Sequence, residues 1–272
     1  MAYTRITEQD SLYNDLEKKS IGEILREINQ EDKKIAVAVE RTIPQIELLV
    51  EQIIPRVKNG GRIFYIGAGT SGRLGVLDAS EIPPTFGMPS TTVIGIIAGG
   101  DEALRKPIEH AEDDEEEGWN DLLAYQINSN DTLIGITASG TTPIVVGALR
   151  HARERNILSA VITSNPDSPV AQVAEIAIEM IVGPEFITGS SRMKSGTGQK
   201  MILNMISTSV MIGLGRIKGN KMIDMQLTSA KLVDRGTRMI ASELGLDYEQ
   251  SKRLLLLHGS VRKAVTAYRQ GS

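Results

Sequence analysis

Residues 62–73, RIFYIGAGTSGR, run an apolar segment directly into a glycine-rich turn. The turn matches GxGxxG, a spacing found where a strand feeds a helix whose N-terminus faces a ligand. A dinucleotide site also needs an acidic side chain at the end of the second strand, to hold a ribose hydroxyl. Here the second apolar run closes on Ala98-Gly99-Gly100, with Asp101 beyond it, and the intervening segment carries Pro83, Pro84 and Pro89. The turn therefore reads as a holder of something smaller than a dinucleotide.

Working outward, apolar β-branched runs recur at Ile63–Ile66, Thr92–Ile97, Thr132–Ile136, Ala160–Thr163 and Ile176–Val182. Amphipathic or Ala/Leu-rich stretches separate them, among them Glu102–Leu123 and Ile144–Arg155. Strands buried on both faces read as continuous apolar runs, and alternation with helices implies a parallel sheet. The pattern predicts an α/β protein with a five-stranded parallel sheet sandwiched by helices. Ahead of it, residues 1–20 read as a polar, extended arm. Ile35, Val39, Ile43, Ile46, Leu49, Ile53 and Val57 then recur at helical spacing, with Pro44 and Pro55 as boundaries or kinks and Asn59-Gly60-Gly61 as the stop. Beyond the sheet, Lys200–Gly213 reads as a Met-rich helix filling core, and the tail as two or three short helices. The expected organisation is an N-terminal arm and helices over 1–57, a ligand-binding domain over 58–220 and a helical region over 221–272.

Composition narrows the chemistry. A chain of 272 residues with a net charge of −4 is unsuited to coating nucleic acid. It has no cysteine, which excludes disulfides, thiolate metal sites and cysteine nucleophiles, and its three histidines lack metal-ligand spacing. The N-terminus has no apolar signal core, and no apolar run approaches the roughly 18 residues of a membrane span. The expectation is a cytoplasmic protein with no membrane or nucleic-acid partner.

In open parallel sheets, ligands bind beyond the carboxyl ends of the strands. The loop after the third strand is TASGTTP, residues 137–143: Thr137, Ser139, Thr141 and Thr142 bring four hydroxyls, with Gly140 between them. Pro143 opens the next helix, a position that suits proline. An N-cap needs one hydroxyl; four beside a helix N-terminus suit an anion such as phosphate. Thr70 and Ser71 add two more from the first loop. Two hydroxyl-rich loops on adjacent strand ends point to a phosphorylated small molecule.

The pairing of GAGTSGR with TASGTTP resembles the sugar isomerase (SIS) fold, which binds phosphosugars. More narrowly, GAGTSGRLGVLDASEIPPTFG, the AED at 111–113 and GPEFITGSSRMKSGTGQK resemble the N-acetylmuramic acid 6-phosphate etherase family. The similarity runs from about Leu12 to the helical tail. It implies a homodimer without a cofactor or metal, which cleaves the D-lactyl ether of its phosphosugar substrate in cell-wall sugar recycling. By motif, Glu81 matches the family's proton donor and Glu112 its second catalytic glutamate. Ser71, Thr137, Ser139 and Thr142 match the phosphate loop, and Ser190, Ser191 and Lys194 fall in a signature near the substrate. Two features depart from the family: a long acidic run after Glu112, and a helical tail shorter than its full C-terminal region.

The implied chemistry fits two carboxyl groups. A base removes the C2 proton beside the open-chain aldehyde, an acid protonates the departing lactyl oxygen, and water adds at C3. Ser71–Ser80 reads as a helix ending before Pro83, which puts Glu81 at its negative dipole end, where a proton is retained. The residues by themselves leave the base open. Glu112 begins a run that reads as solvated surface, and Glu185, following the fifth strand, is the reserve candidate. Arg73, Arg192 and Lys194 could neutralise an anion or serve surface ion pairs. Two rivals share the fold: an aldose–ketose phosphosugar isomerase, and a non-catalytic phosphosugar sensor like glucokinase regulatory protein. Lactate release separates the first from an etherase, and turnover the second.

Overall fold

The computed structural model describes residues 3–108 and 110–271. The chain forms two compact units, Met1–Ala79 with Thr92–Ser207, and Ser80–Thr91 with Thr208–Ser272.

In chain order, α1 (Ile21–Glu40) and α2 (Ile43–Lys58) precede β1 (Ile63–Gly67), α3 (Gly69–Phe86, whose residues 80–86 belong to the second unit) and β2 (Val93–Ile97). Then follow α4 (Glu117–Ala124), β3 (Thr132–Ile136), α5 (Pro143–Glu154), β4 (Leu158–Thr163), α6 (Pro169–Val173), β5 (Ile176–Glu179) and α7 (Lys194–Gly213). The five strands are all parallel, in the order β2-β1-β3-β4-β5. Helices α4 and α5 cover one face, where Trp119, Leu122, Val145 and Leu149 pack with Phe64, Ile66 and Leu133. On the other, Gly75 of α3 lies against Tyr65, with its missing Cβ only 3.0 Å from the tyrosine Cβ. Tyr65 is fully buried; its hydroxyl donates to Asp78 of α3 (3.1 Å), which also accepts from Ser207 (3.2 Å).

The opening turn explains its glycines by close approach. Gly69 has φ +53°, and a Cβ on Gly72 would meet the Gly67 carbonyl oxygen at 2.5 Å. Gly69 thus serves the left-handed backbone of the turn, and Gly72 the close approach of α3 to the end of β1.

Three local expectations change. The arm is not wholly extended: 3-10 turns form at Ile6–Glu8 and Leu16–Lys18, and Ser20 with Glu23 then builds a capping box that starts α1. Helix α3 does not stop before Pro83 but runs through Pro83 and Pro84 to Phe86; the stop is Gly87, at φ +66°, whose N–H donates to the Pro83 carbonyl (2.9 Å). The stretch Glu102–Leu123 is not one helix either. Asp101–Leu104 makes a 3-10 turn, and α4 begins only at Glu117. Pro107 disfavours helix before it, and the carboxylates that follow would repel one another at helical spacing.

The second unit has a short hairpin, β6 (Ile217–Lys218) with β7 (Lys221–Met222), followed by α8 (Ala230–Leu244), α9 (Tyr248–His258) and α10 (Val261–Gln270). Ser229, Asp247 and Ser260 each cap their helix with a side-chain oxygen, and Gly245, Gly259 and Gly271 end them at positive φ. Ile223, Met225, Ile240, Leu255 and Val265 form its small core.

Candidate active site

The loop between β3 and α5 gathers its hydroxyls into one hydrogen-bonded chain. Thr137 Oγ1 lies 2.7 Å from Thr142 Oγ1 and 3.3 Å from Ser139 Oγ, and Thr141 Oγ1 donates to Ser139 Oγ (3.2 Å). Neither Thr141 nor Thr142 caps α5, whose N-cap residue Thr142 makes no side-chain capping bond. The simple capping explanation of this loop therefore fails. What remains is a set of rotatable donors beside a helix N-terminus, able to turn together onto an anion.

Glu112 is brought to the same place by backbone. Its carbonyl accepts from Ile144 N–H in the first turn of α5 (3.1 Å). It is exposed and lines a cleft of about 270 Å³ together with Ala68, Gly69, Arg73, Ala98 and Asp113. The acidic run is exposed from Glu112 to Glu116, as its composition suggests, but its backbone is held. It lies along α5, so close that a Cβ on Gly147 would sit 1.9 Å from the Glu115 carbonyl oxygen. Arg150 pairs with Glu115 (2.7 Å) and His151 with Glu116 (3.0 Å). Arg73 donates to the Ala103 and Leu104 carbonyls, which holds the cleft wall.

On the first loop, Ser71 is buried and its hydroxyl donates to Gln199 Oε1 of α7 (2.9 Å). Gln199 Nε2 is buried with no partner among the described residues. A half-turn of that amide would set Nε2 on the serine oxygen and leave the Ser71 O–H free to donate to an anion. Thr70 lies against Gly196 of α7, its Cγ2 3.2 Å from where a Cβ would stand. Ser190 and Ser191 form the turn into that helix, with Ser191 O accepting from Gly196 N–H (3.0 Å).

Glu185 and Lys194 are otherwise engaged. The buried Glu185 carboxyl group accepts from the N–H groups of Lys194 (2.8 Å) and Ser195 (2.9 Å), capping the N-terminus of α7. The buried Lys194 ammonium donates to Glu31 Oε2 (2.6 Å). Glu31, also buried, takes Tyr13 OH (2.9 Å) and Lys34 (2.5 Å) on its other oxygen. Burial pushes the Glu31 carboxyl up, but the bonds from Lys194, Lys34 and Tyr13 outweigh it and hold it below the ordinary glutamate range. Glu81 stands exposed on α3, three residues after Asp78. Arg192 is exposed as well.

Glu31→Ala should cost about 3–5 kcal/mol in urea unfolding at neutral pH, because it leaves the Lys194 ammonium buried and unpaired. A carboxyl lowered on folding stabilises above its unfolded pKa, and that contribution is lost as pH falls through the folded value. Glu31→Gln should therefore flatten the acid limb of the stability curve; an unchanged limb would mean that the pair contributes nothing.

Glu31, Tyr13 and Gln199 were not singled out from sequence. Gln199 sits in the GTGQK stretch, where its spacing from Ser195 on one helix was the available signal. The partnership of Glu31 with Lys194 spans 163 residues and left no local pattern.

Hydroxyl-lined loops on the carboxyl edge of this sheet define a SIS protein, and the comparisons agree. Residues 102–209 match the SIS domain, and residues 45–153 the glucokinase regulatory protein N-terminal SIS domain. A solved putative phosphosugar isomerase involved in capsule formation from Bacteroides fragilis shares the fold, with a TM-score of 0.54 and 23% identity over 74% of this chain and 98% of that one. Over 99% of its length the chain is 68% identical to a Bacteroides fragilis protein and 69% identical to a Bacteroides thetaiotaomicron protein, both named N-acetylmuramic acid 6-phosphate etherase. The chain belongs to the N-acetylmuramic acid 6-phosphate etherase family. It spans 96% and 98% of those two relatives.

Proposed function

We infer that this chain cleaves the D-lactyl ether of N-acetylmuramic acid 6-phosphate, giving N-acetylglucosamine 6-phosphate and D-lactate, in the recycling of cell-wall sugars. The observation that carries this reading is identity of 68–69% over nearly the full length to two proteins of that name. The hydroxyl chain beside the α5 N-terminus supports it, as a seat for the 6-phosphate. The reaction we propose is a carbon–oxygen lyase reaction. Glu112 removes the C2 proton of the open-chain sugar, and Glu81 protonates the ether oxygen as the C3–O bond breaks. Water then adds at C3 of the unsaturated aldehyde while a proton returns to C2.

The position of Glu112, on the cleft and tied by its carbonyl to α5, favours it over Glu185 as base. Both Glu185 oxygens already accept backbone N–H groups, so that carboxylate is committed to the start of α7. For Lys194 the ion pair with Glu31 supports a role in holding α7 in place rather than one in touching substrate. We also propose that the protein acts as a homodimer in the cytoplasm. No helix among the described residues is long and apolar enough to cross a membrane.

Enzymatic detection of lactate from N-acetylmuramic acid 6-phosphate tests the reading; isomerisation of a phosphosugar without lactate would replace it. Two carboxyl groups suffice for this scheme, so lactate release should persist after exhaustive chelation. Loss of turnover restored by a divalent ion would sink the metal-free reaction.

A further inference from the structure

The N-terminal arm is bonded to the loops that follow β4 and β5. Ser11 donates its hydroxyl to the Phe186 carbonyl (2.7 Å), and its N–H to Thr188 Oγ1 (2.9 Å). Tyr13 packs against Phe186, with ring centroids 5.0 Å apart and the planes tilted by 50°. The joint that reaches the hydroxyl loop is Asn165, in the turn after β4. Its Oδ1 accepts from Thr7 N–H (3.0 Å), while Nδ2 donates to Thr7 Oγ1 (2.9 Å) and to the Ser139 carbonyl (2.8 Å). Asn165 and Thr7 are each only 1% exposed.

The chemistry of this joint is directional. An amide can present either its oxygen or its nitrogen to a carbonyl, and only the nitrogen bonds. The Thr7 N–H occupies Oδ1, so turning the amide over would set donor against donor at Thr7 and oxygen against oxygen at Ser139. The arm thus decides which end of Asn165 faces the loop. The Ser139 carbonyl it holds belongs to the peptide entering Gly140, which sits at φ +75°. Fixing that peptide fixes the Gly140 N–H, which donates to Thr137 Oγ1 (3.3 Å), and so anchors the loop in which Thr141 N–H donates to Ser139 Oγ (3.3 Å). We propose that Asn165 is a positioning residue for phosphosugar binding, locked by Thr7 of the N-terminal arm, and that it presets the Ser139–Thr141 segment for the phosphate. This rests on the phosphosugar reading of that loop.

The test measures binding of N-acetylglucosamine 6-phosphate by calorimetry alongside the steady-state kinetics of lactate release. Asn165→Leu adds no charge near the phosphate. It should raise Kd and KM about ten-fold, the scale of a lost hydrogen bond that leaves a carbonyl unpaired, with kcat changed by no more than about three-fold. Thr7→Val keeps the N–H and loses only one acceptor, so Kd should rise by about three-fold. Asp131→Asn is the control, since Asp131 anchors Arg62 at the opposite, amino-terminal edge of the sheet. It should lower Tm and leave Kd unmoved. An Asn165→Leu protein with unchanged Kd and KM, or one that loses kcat alone, overturns the proposal. If that variant does not fold, an unchanged Kd in Thr7→Val overturns it. Wild-type protein that binds the sugar phosphate with this same variant pattern, yet releases no lactate, would overturn the etherase reading and leave the positioning role standing. Wild-type protein that binds no sugar phosphate overturns both.

Discussion

Glu81→Gln should release essentially no lactate from N-acetylmuramic acid 6-phosphate, a loss of about 10²–10⁴-fold in kcat. An ether oxygen leaves poorly as an alkoxide, and an amide has no proton acidic enough to give it. The same variant should still exchange the C2 hydrogen for deuterium in deuterated water, because that step belongs to the base. Glu112→Gln should lose the exchange along with turnover. In heavy-oxygen water the wild-type sugar product should carry label at O3 and the lactate none, since elimination breaks the bond between C3 and oxygen. Label in lactate would mean attack on the lactyl carbon, and elimination would have to be abandoned. If Glu112→Gln exchanges normally and Glu185→Gln does not, the base is Glu185 and the reaction stands. The cap that Glu185 places on α7 predicts a different result for Glu185→Gln: reduced stability with exchange retained.

Ser139→Ala combined with Thr142→Ala should raise KM by two orders of magnitude or more. Each lost charge-assisted bond to phosphate is worth about 1.5–3 kcal/mol. The two effects should not simply add, because both hydroxyls bond Thr137 Oγ1 and rearrange together. The double variant should thus fall short of the product of the single ones. Since the phosphate anchors the sugar equally before and during reaction, kcat should change much less than KM. An unchanged KM in the double variant would place the phosphate elsewhere.

Much of the scaffold was legible because it is written locally. Continuous apolar runs located all five strands to within a few residues, and β4 gained only Leu158 and Ser159 at its start. The rule that ligands gather at strand carboxyl ends singled out the 137–142 loop without any contact information, whereas Glu112 came only from the family resemblance. What failed locally were balances between competing terms. Pro83 argued for a helix end, yet two adjacent prolines keep helical φ, and Gly87 supplies the stop. The acidic run is exposed, as its composition suggested, but its partners Arg150 and His151, one residue apart on α5, lie about 35 residues away and left no local signal. Lys194 stayed open between an anion partner and a surface ion pair, because nothing near it in sequence announces the buried Glu31. The Asn165 joint escaped for the same reason: its partners lie at residues 7 and 139, and the loop after the fourth strand drew no attention despite being on the ligand-binding edge.

The arm's bonds also set an order of events during synthesis. Thr7, Ser11 and Tyr13 leave the ribosome first, but Asn165, Phe186 and Thr188 follow some 158 to 177 residues later. At about 5–20 residues per second, the arm waits roughly 10–35 s for its docking sites. Leu12, Ile21 and Leu25, which stay 62–71% exposed even after folding, are bare throughout that interval. The nascent chain should accordingly be cut by protease within residues 7–25 until about residue 188 has emerged, and resist thereafter, so that docking of this arm is among the last steps in folding the sheet.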